Sequence, residues 1–232
     1  MEDNDYILLL SNMENLNASL SEMVSHKTIG HFLVNGFNYS LFLSPYYNKR
    51  TDEYGGSLDN RMRFLIEMYY KIREKVGNDF TVIVKLTSSE FFEGGLTFDE
   101  TRTICKKLEA IGVDAFITGN IHAKAKTMSG EVFDGYQLQK EGYFIEYSKV
   151  ISNEVNIPII TVGGFKDINM IEKILNESNI GFFGISRPLL AEPDLIKRWK
   201  TGDRKKAICI SCSKCRTDKG NFCVVYKNQK FS

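Results

Sequence analysis

The residues of this chain best suited to chemistry are a glycine pair, a serine followed by arginine, an isolated lysine and a tail of cysteines. Gly163 and Gly164 close an apolar run, and their missing side chains let backbone N–H groups approach a phosphate closely. Ser186 and Arg187 follow the next apolar run and bring a hydroxyl donor and a guanidinium fork. One glycine after a strand marks only a turn. Two such turns at consecutive strand ends, one leading into arginine, point instead to a phosphoryl group gripped between them. Lys85 stands beside the apolar run of Val82, Ile83 and Val84. A buried, unpaired ammonium is costly, so this lysine faces either an anionic ligand or a structural carboxylate.

Four of the five cysteines crowd into the C-terminal tail as Cys209, Cys212, Cys215 and Cys223. A tight turn can aim the first three thiolates at one centre while the fourth closes from a loop. Spacing leaves three readings open: a [4Fe–4S] cluster, a structural zinc, or unligated thiols. Cys105 lies inside a helical stretch beside Leu108 and reads as a small core residue.

From about residue 77, short β-rich runs alternate with stretches of helical period, the pattern of repeated βα units around a parallel sheet. Runs 81–86, 113–118, 157–162 and 181–186 read as strands covered on both faces, because none alternates with polar residues. Helices are predicted over 58–76, from a capping box at Thr97 and Glu100 to Gly112, and over 143–155, 167–177 and 189–200. The count is four strands, or five if 29–34 is the remnant of another, against the eight of a closed barrel. The expected fold is therefore α/β, a partial (β/α)8 TIM barrel corresponding to its C-terminal half, with a Cys-rich tail. Its parts are an indeterminate extension (1–30), a half-barrel (31–203) and the tail (204–232). A half-barrel has two unpaired sheet edges, which predicts either a second copy or a partner chain to complete it, or a chain truncated from a longer ancestor.

Lys plus Arg number 30 and Asp plus Glu 29, a net charge of +1, so no field steers the chain toward nucleic acid or an anionic membrane. The default partner is a small-molecule substrate. The acidic start and the shortness of the apolar run Ile7 to Leu10 speak against a secretory signal or a membrane span, which predicts a cytoplasmic protein.

The block 42–64, with Ser44, Pro45, Asn48, Arg50, Gly55, Gly56 and Arg61, closely resembles the signature of the old yellow enzyme family. It is most similar to the NADH:flavin oxidoreductase and 2,4-dienoyl-CoA reductase branch. Gly94, Gly95, the strand from Pro158 to Gly164, and Ser186-Arg187-Pro188-Leu189 continue the match in order, over roughly residues 35 to 225. The resemblance implies an FMN enzyme in which NAD(P)H reduces the flavin, which passes hydride to an activated alkene or similar acceptor. It puts Lys85 at the N1/O2 edge of the flavin ring. It puts Gly163, Gly164, Ser186 and Arg187 on the FMN phosphate, in agreement with the reading from the residues alone. It favours iron–sulfur at the cysteines, although the spacing to Cys223 is shorter than in that branch.

Two departures follow. Where the family has a His-x-x-His or His-x-x-Asn motif before Gly-Tyr, this chain has Phe32, Asn35, Gly36 and Phe37. Asn35 alone can still donate to a substrate oxygen, and the proton-donating phenol is absent unless Tyr39 takes its place. His31 is off register by one. Residues 1–30 also do not resemble the family's N-terminal barrel strands. The alternative is accordingly a catalytically impaired barrel fragment acting as a binding or assembly module.

Overall fold

In the computed structural model the run that opens at Val82 becomes strand β1 (Ile83–Thr87), and the run after Asp114 becomes β2 (Ala115–Gly119). The structure describes residues 37–119, 124–126, 132–134, 140–212, 214–217 and 220–226. These fall into two compact units, the first ending at Ile121 and reclaiming residues 154–158, the second holding the rest from His122 onward.

In the first unit β1 and β2 run parallel, in register from Ile83 opposite Ala115 to Thr87 opposite Gly119. Before them come α1 (Phe37–Leu43) and α2 (Leu58–Val76), and between them α3 (Phe98–Ala110). The side chain of Ser57 caps α2 by accepting from the Asn60 N–H, and Met62, Leu65, Tyr69 and Ile72 form its buried stripe. Thr97 and Glu100 form the predicted capping box on α3. Asp114 joins the end of α2 to the start of β1, because its Oδ2 accepts from Arg73 at 2.8 Å and from the Val82 N–H at 2.6 Å.

The block 42–64 is a scaffold rather than a set of reacting groups. Asn48 donates to the carbonyls of Phe42 at 2.8 Å and Tyr54 at 2.7 Å, closing the loop upon itself. A Cβ on Gly55 would lie 2.0 Å from the Arg50 carbonyl oxygen, so no other residue fits there. The buried Arg61 guanidinium donates to the carbonyls of Leu43 and Gly56 and pairs with Glu100. The later match at Gly95 has a similar cause. Gly95 presses on Glu90, whose buried carboxylate accepts from Ser44 Oγ and the Leu96 N–H, both at 2.6 Å.

The second unit contains α4 (Ile145–Ser152), β5 (Ile159–Val162), α5 (Ile168–Glu177), β6 (Phe182–Gly184), α6 (Arg187–Ala191) and α7 (Leu195–Lys200). Strands β5 and β6 are parallel, with Val162 opposite Gly184. Phe165, Ile171, Ile174, Ile180, Leu195 and Trp199 make one buried core. The unit also holds two short antiparallel pairs, β3 (Lys124–Lys126) with β4 (Val132–Asp134) and β7 (Arg216–Thr217) with β8 (Gly220–Asn221).

The four expected parallel strands are present among the described residues, two in each unit. The strand remnant considered at 29–34 lies outside the described residues. The single helix expected over 189–200 is instead two, α6 and α7, broken at Glu192 and Pro193. Proline cannot donate to the preceding turn and pushes the residue before it out of helical geometry. The break frees buried Glu192 to pair with Arg198. The antiparallel pairs were not foreseen, since strands of two or three residues carry no readable period.

Candidate phosphate-binding site

Because β5 and β6 are paired neighbours, the segments that leave their C-terminal ends emerge side by side. Gly163 and Gly164 leave β5, at φ values of 152° and 73°. The second value is left-handed, a region open to glycine at little cost. A Cβ on Gly164 would meet Tyr143 Cε1 at 3.0 Å, the Lys140 carbonyl at 3.4 Å and Arg187 Nη2 at 3.8 Å. The guanidinium that follows β6 therefore reaches the glycine turn that follows β5.

Loop 140–143 borders the same place. The Gly142 N–H donates to the Gly163 carbonyl at 2.5 Å, and a Cβ on Gly163 would stand 3.1 Å from the Tyr143 nitrogen. Glu141 ties the loop down by accepting from the N–H groups of Lys166 and Asp167 at 2.7 and 2.9 Å. Ser186 is the N-cap residue of α6, but its hydroxyl is not used for capping. Two bare backbone turns, an exposed hydroxyl and a guanidinium thus surround a cradle that any side chain at Gly164 would fill. Such a set of donors suits a phosphoryl group. Tyr143 and Glu141 were missed in the sequence, where neither breaks a pattern; the one signal was Gly142 beside them.

In the first unit, Lys85 is the half-buried member of an otherwise buried strand. Desolvation by burial lowers its pKa. Among the described residues it makes no hydrogen bond or ion pair, so the structural carboxylate considered for it is not found there. Just beyond, the hydroxyls of Thr87 and Ser88 are buried with no hydrogen-bond partner among the described residues.

Cys209, Cys212, Cys215 and Cys223 line one pocket together with Arg187. Ser211, between the first two, is held at φ 56°, a strained value that turns the chain within the motif. All four thiols are free, and among the described residues no three metal-ligating side chains gather around a common point. The donor type suits a soft metal or cluster, but the arrangement in this structure does not fit one. Asn35, His31 and Phe32 lie outside the described residues; Tyr39 falls within α1, its side chain undescribed. No helix among the described residues is long and apolar enough to cross a membrane.

Against known proteins, residues 29–206 match the model of the NADH:flavin oxidoreductase / NADH oxidase family. The chain belongs to this family. It is 34% identical over 180 residues to an NADH oxidase of Thermoanaerobacter brockii, covering 77% of this chain and 27% of the relative. A metal reductase of Desulforamulus reducens is also 34% identical, over 77% of this chain and 26% of its own length. The solved structure of a 2-naphthoyl-CoA reductase complex matches at 28% identity with a TM-score of 0.71, covering 88% of this chain and 31% of that one. The chain spans roughly a quarter to a third of the length of these relatives. Among these flavin oxidoreductases its parallel strands and helices form a partial (β/α) barrel.

Proposed function

We propose that this chain binds FMN and serves an oxidoreductase that moves hydride from NAD(P)H to an activated alkene or similar small acceptor. The observation that carries the reading is the approach of Arg187 to the bare turn at Gly164, at the C-terminal ends of two paired parallel strands. That end of a (β/α) barrel is where ligands bind, and its last strands commonly hold phosphate. Family membership supports the choice of FMN. When bound, FMN supplies the hydride relay between NAD(P)H and the acceptor.

The protein's own groups have separable tasks. Arg187 provides charge-assisted hydrogen bonds to the phosphoryl oxygens, Ser186 adds a hydroxyl, and the turn at Gly163 and Gly164 leaves room for close approach. Lys85 brings a positive charge to the N1/O2 edge of the ring, where its desolvated state makes it responsive to a neighbouring anion. Asn35 donates to the substrate oxygen, and Tyr39 is the candidate proton donor in place of the phenol missing at Phe37. The [4Fe–4S] cluster that the resemblance favours at Cys209, Cys212, Cys215 and Cys223 is assigned no step, because among the described residues no three of these thiols converge on one point.

The experiment is an anaerobic absorbance spectrum of the purified chain after incubation with FMN and gel filtration, followed by addition of NADH or NADPH. Retained flavin absorbance that bleaches on addition supports the reading. Protein that leaves the column without flavin contradicts it.

A further inference from the structure

Among the described residues, two hydrogen-bond donors on one face of β1 lack acceptors. Lys85 and Thr87 are two positions apart, so their side chains leave the strand on the same side. Among the described residues Lys85 has no partner, and Thr87 Oγ1 is buried without one. A buried hydroxyl left unsatisfied is costly, and an unpaired ammonium more so. Thr87 closes a parallel strand and Lys85 stands two residues before its end, on the side where a (β/α) barrel meets its ligand.

Resting on the flavin reading above, we propose that Thr87 is a second contact to the pyrimidine edge of the ring, its hydroxyl donating to an acceptor atom beside the one served by Lys85. That edge suits the pair chemically, since it presents carbonyl oxygens and ring nitrogens in a row and gains negative charge on reduction. Neither donor finds an equivalent among the described protein groups. Among the described residues Ser88 Oγ is equally buried and unpartnered, but it lies past the end of β1, in the bend that follows the strand. It is assigned no contact with the ring and serves as an internal control.

The test uses the full chain, with riboflavin and FMN as probes and Thr87→Val, which exchanges the hydroxyl for a methyl of the same shape. Loss of an orphaned hydroxyl raises the Tm of the flavin-free protein, whereas loss of the contact weakens riboflavin and FMN by the same factor, roughly 5–10-fold. Ser88→Ala leaves both affinities unchanged. Thr87→Ser keeps the hydroxyl and retains most of the affinity, which guards against misreading a folding defect.

Thr87→Val that binds both flavins as tightly as the parent overturns the proposal. So does a lower Tm without flavin, which would make the hydroxyl structural. If the parent binds FMN through Arg187 while Thr87→Val is indifferent, this inference alone fails. If the parent binds neither flavin, the functional reading fails with it.

Discussion

Arg187 Nη2 stands 3.8 Å from where a Cβ on Gly164 would be, so a cation carried by one strand end covers a gap left open by the other. The two residues are more than twenty positions apart in sequence, and the parallel pairing of β5 with β6 brings them together. The same arginine also lines the cysteine pocket.

Filling the gap is the simplest perturbation. Gly164→Ala places a side chain at a left-handed φ, which costs roughly 1–2 kcal/mol, and its Cβ meets the Tyr143 ring at 3.0 Å. Urea unfolding of the variant is expected to show that loss. FMN titration is expected to show weaker binding than the loss of stability alone accounts for.

Lys85 gives a pH signature. Its folded pKa lies below the ordinary 10.5 because burial disfavours the charge. Between the two values the unfolded chain holds a proton that the folded chain has released, so stability rises with pH across that window. The penalty is complete below the folded pKa and vanishes toward about 10.5. Lys85→Met should therefore be more stable than the parent at pH 7 in the absence of flavin. The difference in urea midpoint between the two proteins should shrink as pH approaches 10.

The thiols divide into two classes. Cys105 is fully buried, and burial pushes its pKa well above the ordinary range, which leaves it unreactive. The other four cysteines are partly exposed and free. Titration with a chromogenic disulfide reagent under reducing-agent-free anaerobic conditions should count four thiols in the native protein. The fifth should react only after denaturation.

Arg61 tests the scaffold reading of the block 42–64. Its guanidinium bonds to two carbonyls and to Glu100 from a buried position. Arg61→Ala leaves Glu100 and those carbonyls without their donor, for which about 3–5 kcal/mol of lost stability is expected. Thermal unfolding of the flavin-free variant measures it.

Much of this was legible because each βα unit repeats one instruction. Helix α2 ends at Leu58 and Val76 as its amphipathic stripe and Ser57 cap dictate, and α3 starts at its capping box. The turns at Gly163 and Arg187 stood out because they fall at consecutive strand ends, one of them leading into arginine. Less local features were closed to such reading. Whether Gly164 faces Arg187 depends on strand pairing, which no spacing encodes. The orphaned hydroxyl of Thr87 is a statement about missing partners, visible only once the neighbours are placed. Glu192 and Pro193 should have signalled the break between α6 and α7, but the apolar period on either side masked it.

The most direct test compares FMN with riboflavin, which differ by the phosphoryl group, on the parent chain and on Arg187→Ala, by quenching of flavin fluorescence. A charge-assisted contact of this type is worth about 1.5–3 kcal/mol, so FMN affinity should fall roughly 10–100-fold in Arg187→Ala while riboflavin affinity stays the same. Equal affinities of the parent for FMN and riboflavin, or an Arg187→Ala variant that binds FMN as tightly as the parent, would contradict a phosphate held between these two strand ends.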